Sequence, residues 1–289
     1  MASTFWADIS SWQRPVDASY PYPVLAFRVD WGGGIDDNAR ANWSHIAASS
    51  AIKAGIGYVV YKPGQSDAIA ARVRGLFGTS CPGKLAFMVD MESGADFAGP
   101  GNHSTDANRL TQLLADYAGN PARVIGYANG GDWASCWPTR PAWLKRVVAS
   151  YGTQNPGGWA WQFYGGMNYP TPAGYPRSCK PFGTSVDLNV CLKPLADVLA
   201  DLGIGDDMAL TAAESAQLAT AAKFATAACD RAQALQTVQA AQGTALADAL
   251  NRIAALQAQV AALSKQQASV QVNPVDVPVT GTVHIGGSK

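Results

Sequence analysis

Residues 85–93, Leu-Ala-Phe-Met-Val-Asp-Met-Glu-Ser, form an apolar run that closes on two acids. The run has the length of a buried strand. Alternate side chains of a strand share a face, so Asp90 and Glu92 point the same way, roughly 6 to 7 Å apart along the chain. Seven further runs of similar length lie on either side: Thr4–Ile9, Val24–Val29, Gly57–Tyr61, Val124–Ala128, Arg146–Ser150, Trp159–Phe163 and Ser185–Val190. Several intervals between them read as helices, over residues 38–54, 66–76 and 104–118, and a last helix over 194–202 closes the region. Ser104 and Thr105 are the residue types that cap a helix start, ahead of apolar Leu110, Leu113, Leu114 and Tyr117. Strand and helix in repetition imply a parallel sheet with helices outside. Eight strands within residues 1–203 predict an α/β fold, a compact TIM-like (β/α) barrel with some helices shortened or lost.

Composition narrows the function. Charged residues make up 15% of the 289, with Lys plus Arg (21) equal to Asp plus Glu (21). A neutral chain of this kind lacks the basic footprint that phosphate backbones require, so no nucleic-acid partner is expected. No stretch of 18 apolar residues is present, so no membrane span is expected, and the N-terminus lacks the basic-then-apolar order of a secretory signal. The five cysteines, an odd number, have no metal-like spacing; Cys179 and Cys191 flank one loop and are close enough in sequence to pair, but free thiols in a reducing cytoplasm are the simpler reading. His45, His103 and His284 are scattered, so neither a metal nor a cofactor is expected, and Gly32-Gly33-Gly34 reads as a turn. All nine Trp and ten Tyr precede residue 176. Aromatic faces of this kind pack in cores and also hold sugar rings.

After Gly205 the composition changes. Residues 208–268 are rich in Ala and Gln, with one glycine and no proline, which predicts helix. Leu246, Ile253 and Val260 fall at one heptad position, and Ala249, Leu256, Leu263 and Val270 at the other. A stripe so narrow needs partners. A coiled-coil homo-oligomer, dimer or trimer, is favoured over a hairpin bent near Gly243 and folded back on the barrel. The region 204–270 is therefore read as helical oligomerisation tail, and 271–289, where Val alternates with polar residues and prolines, as an extended tip.

Chemistry concentrates at the strand ends, where barrels of this type carry their sites. Two neighbouring carboxyls can divide labour, one charged and one held protonated, as glycosidic bond cleavage requires. Asp8 ends the first run, Asp187 lies in the last, Tyr127 and Asn129 end the fifth, and Trp159, Trp161 and Gln162 belong to the seventh. If these runs are strands, the residues converge on one mouth, suited to a neutral or N-acetylated sugar chain.

The segments ADISSWQ, MVDMES, VIGYANGGDW, WAWQFYGG and SVDLNV, in this order over residues 5–192, resemble glycoside hydrolase family 25, the Chalaropsis-type lysozymes of bacteria, fungi and phages. The resemblance covers the first domain and none of the tail. It implies a (β/α)-barrel muramidase acting on bacterial peptidoglycan, between N-acetylmuramic acid and N-acetylglucosamine. It further implies Glu92 as general acid, Asp90 as stabiliser of the positive centre, Asp8 and Asp187 flanking them, and Tyr127 and Trp161 along the sugar subsites; Asn129 and Gln162, beside them at the strand ends, are further candidates for binding sugar. Two segments depart from the family. AFRVDWGG and GYVVYKPG stand where a lysine-containing segment and an aromatic or histidine are usual, leaving Arg28, Asp30, Trp31, Tyr61 and Lys62 at substrate positions of open role. Lysozyme type and missing leader together suggest a phage protein made in the host cytoplasm. The tail suits attachment to a virion and its tail proteins, with a free endolysin or a non-catalytic wall-binding tail protein as alternatives.

Overall fold

The computed structural model describes residues 2–152, 154–166, 169–205, 242–243 and 245–265. Eight strands close into a barrel in chain order: β1 (Thr4–Ile9), β2 (Val24–Asp30), β3 (Ala54–Val60), β4 (Leu85–Asp90), β5 (Val124–Asn129), β6 (Lys145–Ala149), β7 (Ala160–Gly165) and β8 (Asp187–Cys191). Each lies on one of the eight apolar runs. Between them run α1 (Ala39–Ala48), α2 (Ser66–Phe77), α3 (Ser104–Ala118) and the short α4 (Gly130–Ser135), and α5 (Leu195–Asp201) follows β8. Neither α4 nor the turn of 3-10 helix at Pro121–Arg123 is expected from the sequence. Ser104 is the first residue of α3, and its hydroxyl accepts from the Thr139 N–H instead of capping the helix.

One expectation is corrected. Strands β1 to β7 are parallel, but β8 runs antiparallel to both β7 and β1. Among its described residues the connection from β7 to β8 contains no helix, and antiparallel neighbours need no crossover helix.

Side chains of β1 to β4 divide by parity. Trp6, Val24, Ala26, Ile56, Ala86 and Met88 pack together inside the barrel with Val198 and Leu199 of α5 and with Leu202 just after it. Leu25, Phe27, Phe87 and Val89 instead pack outward against Ile46, Ile69, Val73, Leu110 and Leu114 of the helices. Both faces are buried, which is why the runs read as continuously apolar. Helix α5 closes the floor, where Trp159 Nε1 donates to Asp201 Oδ2 (2.6 Å) and Arg123 Nε to the Gly203 carbonyl (3.4 Å). Burial extends to Ile204. On the outer face of β5, Gly126 admits the stacked pair Trp133–Trp137: a Cβ there would lie 2.7 Å from the Trp133 ring.

The C-terminal segment is a separate unit. Residues 245–265 are helical, and Leu246, Leu250, Ile253, Leu256, Val260 and Leu263 are each more than half exposed along it. The expected tip at 271–289, Val270 and Cys229 lie outside the described residues. Cys81, Cys136, Cys179 and Cys191 are free, so Cys179 and Cys191 are not paired.

Candidate active site

Above the apolar lumen the inward-facing positions become polar. Asp8 of β1 lies beside Asp187 of β8 in register, Arg28 of β2 beside Tyr58 of β3, and Asp90 of β4 beside Tyr127 of β5. The antiparallel direction of β8 matters here: Asp187 begins its strand, and only a reversed strand brings its first residue to the mouth. Glu92 follows two residues after Asp90, just beyond β4. Asp8 and Asp90 are buried, while Glu92 and Asp187 are partly exposed, and among the described residues they form one acidic cluster.

Environment raises the proton affinity of all four. Burial, then the Asp187 and Glu92 charges, hold Asp8 well above the usual carboxylate range, while the facing Tyr58 hydroxyl and the Arg28 guanidinium oppose this. Asp90 is held well above it by burial and then by Glu92 and Asp8, with Arg28 opposing. Glu92 is raised by burial and then by Asp132. Asp187 is raised to about 6, first by burial and then by Glu92. All four therefore hold their protons more tightly than free carboxyls do, and a proton donor beside a carboxylate is the pairing that acid-assisted cleavage of a glycosidic bond needs.

A stability prediction arises from Asp187. A carboxyl whose affinity for protons is higher folded than unfolded adds stability below its unfolded value, and that contribution is lost as pH rises through the folded one. For Asp187 the window runs from 3.8 to about 6. Asp187→Asn is therefore expected to match the wild type below the window. Above it the variant should be more stable by about 2 kcal/mol, after allowance for partial exposure, or some 4–8 °C in Tm. Thermal melts across pH 3 to 8 check this; a constant difference across that range would remove Asp187 from the proton-linked set.

The β5–β7 side of the mouth is a bonded wall. The Tyr127 and Tyr151 hydroxyls both donate to Gln162 Oε1, at 2.7 Å each. Burial raises both phenols, so they remain donors. Asn129 caps α4: its Oδ1 accepts from the Asp132 N–H (2.9 Å) and its Nδ2 donates to Asp132 Oδ2 (2.6 Å). Asp132 also accepts from the Ser93 N–H (3.1 Å), which ties the segment after Glu92 to the start of α4 and sets a negative charge beside Glu92.

Three expected positions fall elsewhere. Trp161 is on the outer face of β7, its Nε1 donating to the Ser150 carbonyl (2.7 Å) and its ring packed against Phe163 and Tyr175. It neighbours the inward Gln162, so the two cannot share a face. Tyr61 follows the end of β3, is fully buried among the helices and donates to Asp106 Oδ2 (2.9 Å). Trp159 lies at the floor. Trp31 follows β2 at the mouth end and is 45% exposed, its ring lying over Gly33 and Gly34 with Lys62 Nζ 5.0 Å from the centroid. Gly33 and Gly34 are thus a bed for the indole: a Cβ on Gly33 would lie 2.2 Å from it. Trp12, after β1, is 85% exposed. Tyr58, Asp132 and Tyr151 join the site without having been expected. The signal for Tyr58 was its even spacing from Ala54 and Ile56. Among the described residues no group of His, Cys, Asp and Glu converges closely enough to hold a metal ion.

No protein-family model matches the chain. It is 38% identical over 233 residues to the uncharacterized protein Rv3766 of Mycobacterium tuberculosis, covering 76% of this chain and 82% of that one. The barrel also has the fold of a family 25 glycosyl hydrolase from Bacillus anthracis (TM-score 0.53, 13% identity, 68% of this chain and 91% of that one). The same holds for a muramidase from Acremonium alcalophilum (TM-score 0.51, 12% identity, 69% and 99%).

Proposed function

The chain belongs to one family with the uncharacterized protein Rv3766 of Mycobacterium tuberculosis, and we propose that its barrel is a muramidase, hydrolysing the β-1,4 bond between N-acetylmuramic acid and N-acetylglucosamine in peptidoglycan. The observation that carries this reading is the unequal setting of Asp90 and Glu92 at the barrel mouth. Asp90 ends β4 and is buried, and Glu92, two residues further on, is partly exposed with Asp132 beside it. In this reading Glu92, protonated, donates to the bridging oxygen as the glycosidic bond breaks. Asp90, ionised, supports the positive charge on the anomeric carbon or orients the substrate's own acetamido group. Water then completes the cleavage, returning its proton to Glu92. Tyr127, Gln162 and Asn129 border the β5–β7 side of the sugar site, Asp8 and Asp187 border the acids, and Trp31 offers an exposed face to a further ring. Likeness of fold to a glycosyl hydrolase and to a muramidase supports the reading.

The test is mass spectrometry of the fragments released by the full chain from walls of defined composition. New reducing ends on muramic acid are expected. Binding without fragments, on walls bearing acetylated and glycolylated muramic acid alike, would leave a wall-binding protein and remove the enzyme.

The tail is proposed to assemble copies of the chain. A helix over 245–265 that exposes six large aliphatic side chains at heptad-like spacing gains by pairing with its own kind. Deleting residues 208–289 is expected to convert an oligomer to a monomer in light scattering, with the barrel's melting temperature moved by less than about 3 °C. An unchanged mass would sink this part. An oligomeric stem suits an enzyme carried on a phage tail better than one released at lysis, and detection of the chain in purified virions tests that choice.

A further inference from the structure

Glu92 stands two residues past the end of β4, where the ladder to β5 gives out. The last rung pins the peptide unit between Asp90 and Met91. There the Asp90 carbonyl accepts from the Tyr61 N–H (2.9 Å), and the Met91 N–H donates to the Tyr127 carbonyl (2.9 Å). In a continued parallel ladder the Ser93 N–H would next meet the Asn129 carbonyl, two residues beyond Tyr127. At Asn129, however, β5 gives way to α4. The Ser93 N–H reaches a side chain instead, Asp132 at Oδ2 (3.1 Å). At the other end of the same peptide unit, the Glu92 carbonyl accepts from the Ala98 N–H (2.9 Å). The plane that follows Glu92 is thus held at both ends.

Asp132 is itself immobilised. It is buried, its Oδ2 also accepts from Asn129 Nδ2 (2.6 Å), and its N–H donates to Asn129 Oδ1 (2.9 Å). Both polar atoms of the Asn129 side chain are therefore engaged with Asp132. The remaining oxygen, Oδ1, meets only the Cys136 thiol among the described residues, at 3.8 Å. A single oxygen thus receives the bonds from both Ser93 and Asn129, and an amide oxygen at the same place could receive them as well.

We propose that Asp132, braced by Asn129, is the positioning residue for Glu92: its Oδ2 takes the place of the missing rung and fixes the backbone that carries the acid. The proposal rests on the muramidase reading for its catalytic meaning. Proton transfer to a bridging oxygen depends steeply on where the donor sits, and a displacement of about 1 Å can cost roughly a hundredfold in rate. Substrate binding need not change with it, because Asp132 holds the donor's backbone and not the sugar.

The experiment measures kcat and KM on peptidoglycan for the full chain and for Asp132→Asn, Asp132→Glu and Asp132→Ala. The Asp132 charge also bears on the proton affinity of Glu92, so each protein is assayed at its own pH optimum. Hydrogen exchange of peptides covering residues 88–98 is followed by mass spectrometry in parallel. Asp132→Asn keeps an oxygen at the place of Oδ2, so it should retain kcat within about threefold and leave the exchange unchanged. Asp132→Glu keeps the charge but misplaces the oxygen, and Asp132→Ala removes both. These two should lower kcat about 10- to 100-fold, with KM within about twofold and faster exchange of the segment. If Asp132→Ala does not fold because α4 loses its support, Asp132→Asn and Asp132→Glu decide between position and charge. Asp132→Asn as slow as Asp132→Glu would overturn the proposal. So would a rise in KM at constant kcat, which would make this corner a sugar contact. Failure of the wild type to cut any wall sinks the hydrolase reading alone, because the exchange pattern still decides whether Asp132 holds the segment that carries Glu92.

Discussion

Glu92→Gln is expected to lower turnover on peptidoglycan about a thousandfold, equivalent to roughly 4 kcal/mol of transition-state free energy, with the barrel still folded. A sugar oxygen is a poor leaving group unless a proton arrives as the bond breaks, and Gln has none of suitable acidity to give. Burial and the Asp132 charge both favour the protonated form of Glu92 in the wild type. Replacing it by a neutral isostere therefore removes chemistry and leaves packing almost intact; Glu92 makes no side-chain hydrogen bond among the described residues whose loss would cost stability. KM should change little. Release of reducing ends, read beside an unchanged melting curve, checks both halves. Turnover within tenfold of wild type would mean that another group donates the proton.

The largest stability effect is expected at a different acid. Asp30 ends β2 with its side chain fully buried, and Arg72 of α2 meets it with two bonds, Nε to Oδ2 (2.5 Å) and Nη2 to Oδ1 (3.0 Å). The Gly32 N–H also donates to Oδ1 (2.7 Å), and Arg72 reaches the Gly32 carbonyl (3.3 Å). The pair thus clamps the turn beneath Trp31 onto α2. Removing one member of a buried pair leaves the other's charge uncompensated, at a cost of about 3–5 kcal/mol. Arg72→Ala should lower Tm by roughly 6–20 °C on that basis. Arg72→Leu combined with Asp30→Leu should recover part of the loss, since no lone charge remains. Trp31 fluorescence should shift in the single variant, because the turn that carries its ring is released. A cost under 1 kcal/mol would show that water reaches Asp30.

How much of this was legible in the sequence depends on what each residue's role rests upon. All eight strands could be read, because a strand buried on both faces is written as an unbroken apolar run. The same property hides which residues face inward. The third run, read as starting at Gly57, includes Tyr61 with Gly57 and Val59, all of one parity, but β3 starts at Ala54 and it is Ile56 and Tyr58 that look into the lumen. Trp161 and Gln162 were expected together at the mouth, yet a step of one residue separates the two faces. Asp8, Asp90 and Glu92 were readable because they interrupt apolar runs at their ends, where a parallel barrel puts its mouth. Asp187 belongs to a run whose direction the alternation does not encode, so its place at the mouth waits on the reversal of β8. Asp132 and Tyr151 depend on contacts between distant segments, and nothing local marks them.

The reversal of β8 has a topological consequence. Thr4 lies beside Cys191 in register and its hydroxyl donates to the Lys193 carbonyl (2.9 Å), so the first strand starts where the last one finishes. The closed sheet is therefore suited to circular permutation. A linker from the end of α5 back to the start of β1 could join the barrel's ends, and a fresh N-terminus opened on the exposed loop around Gly78 would leave the order of strands around the ring, and the ring of acids at the opposite rim, untouched.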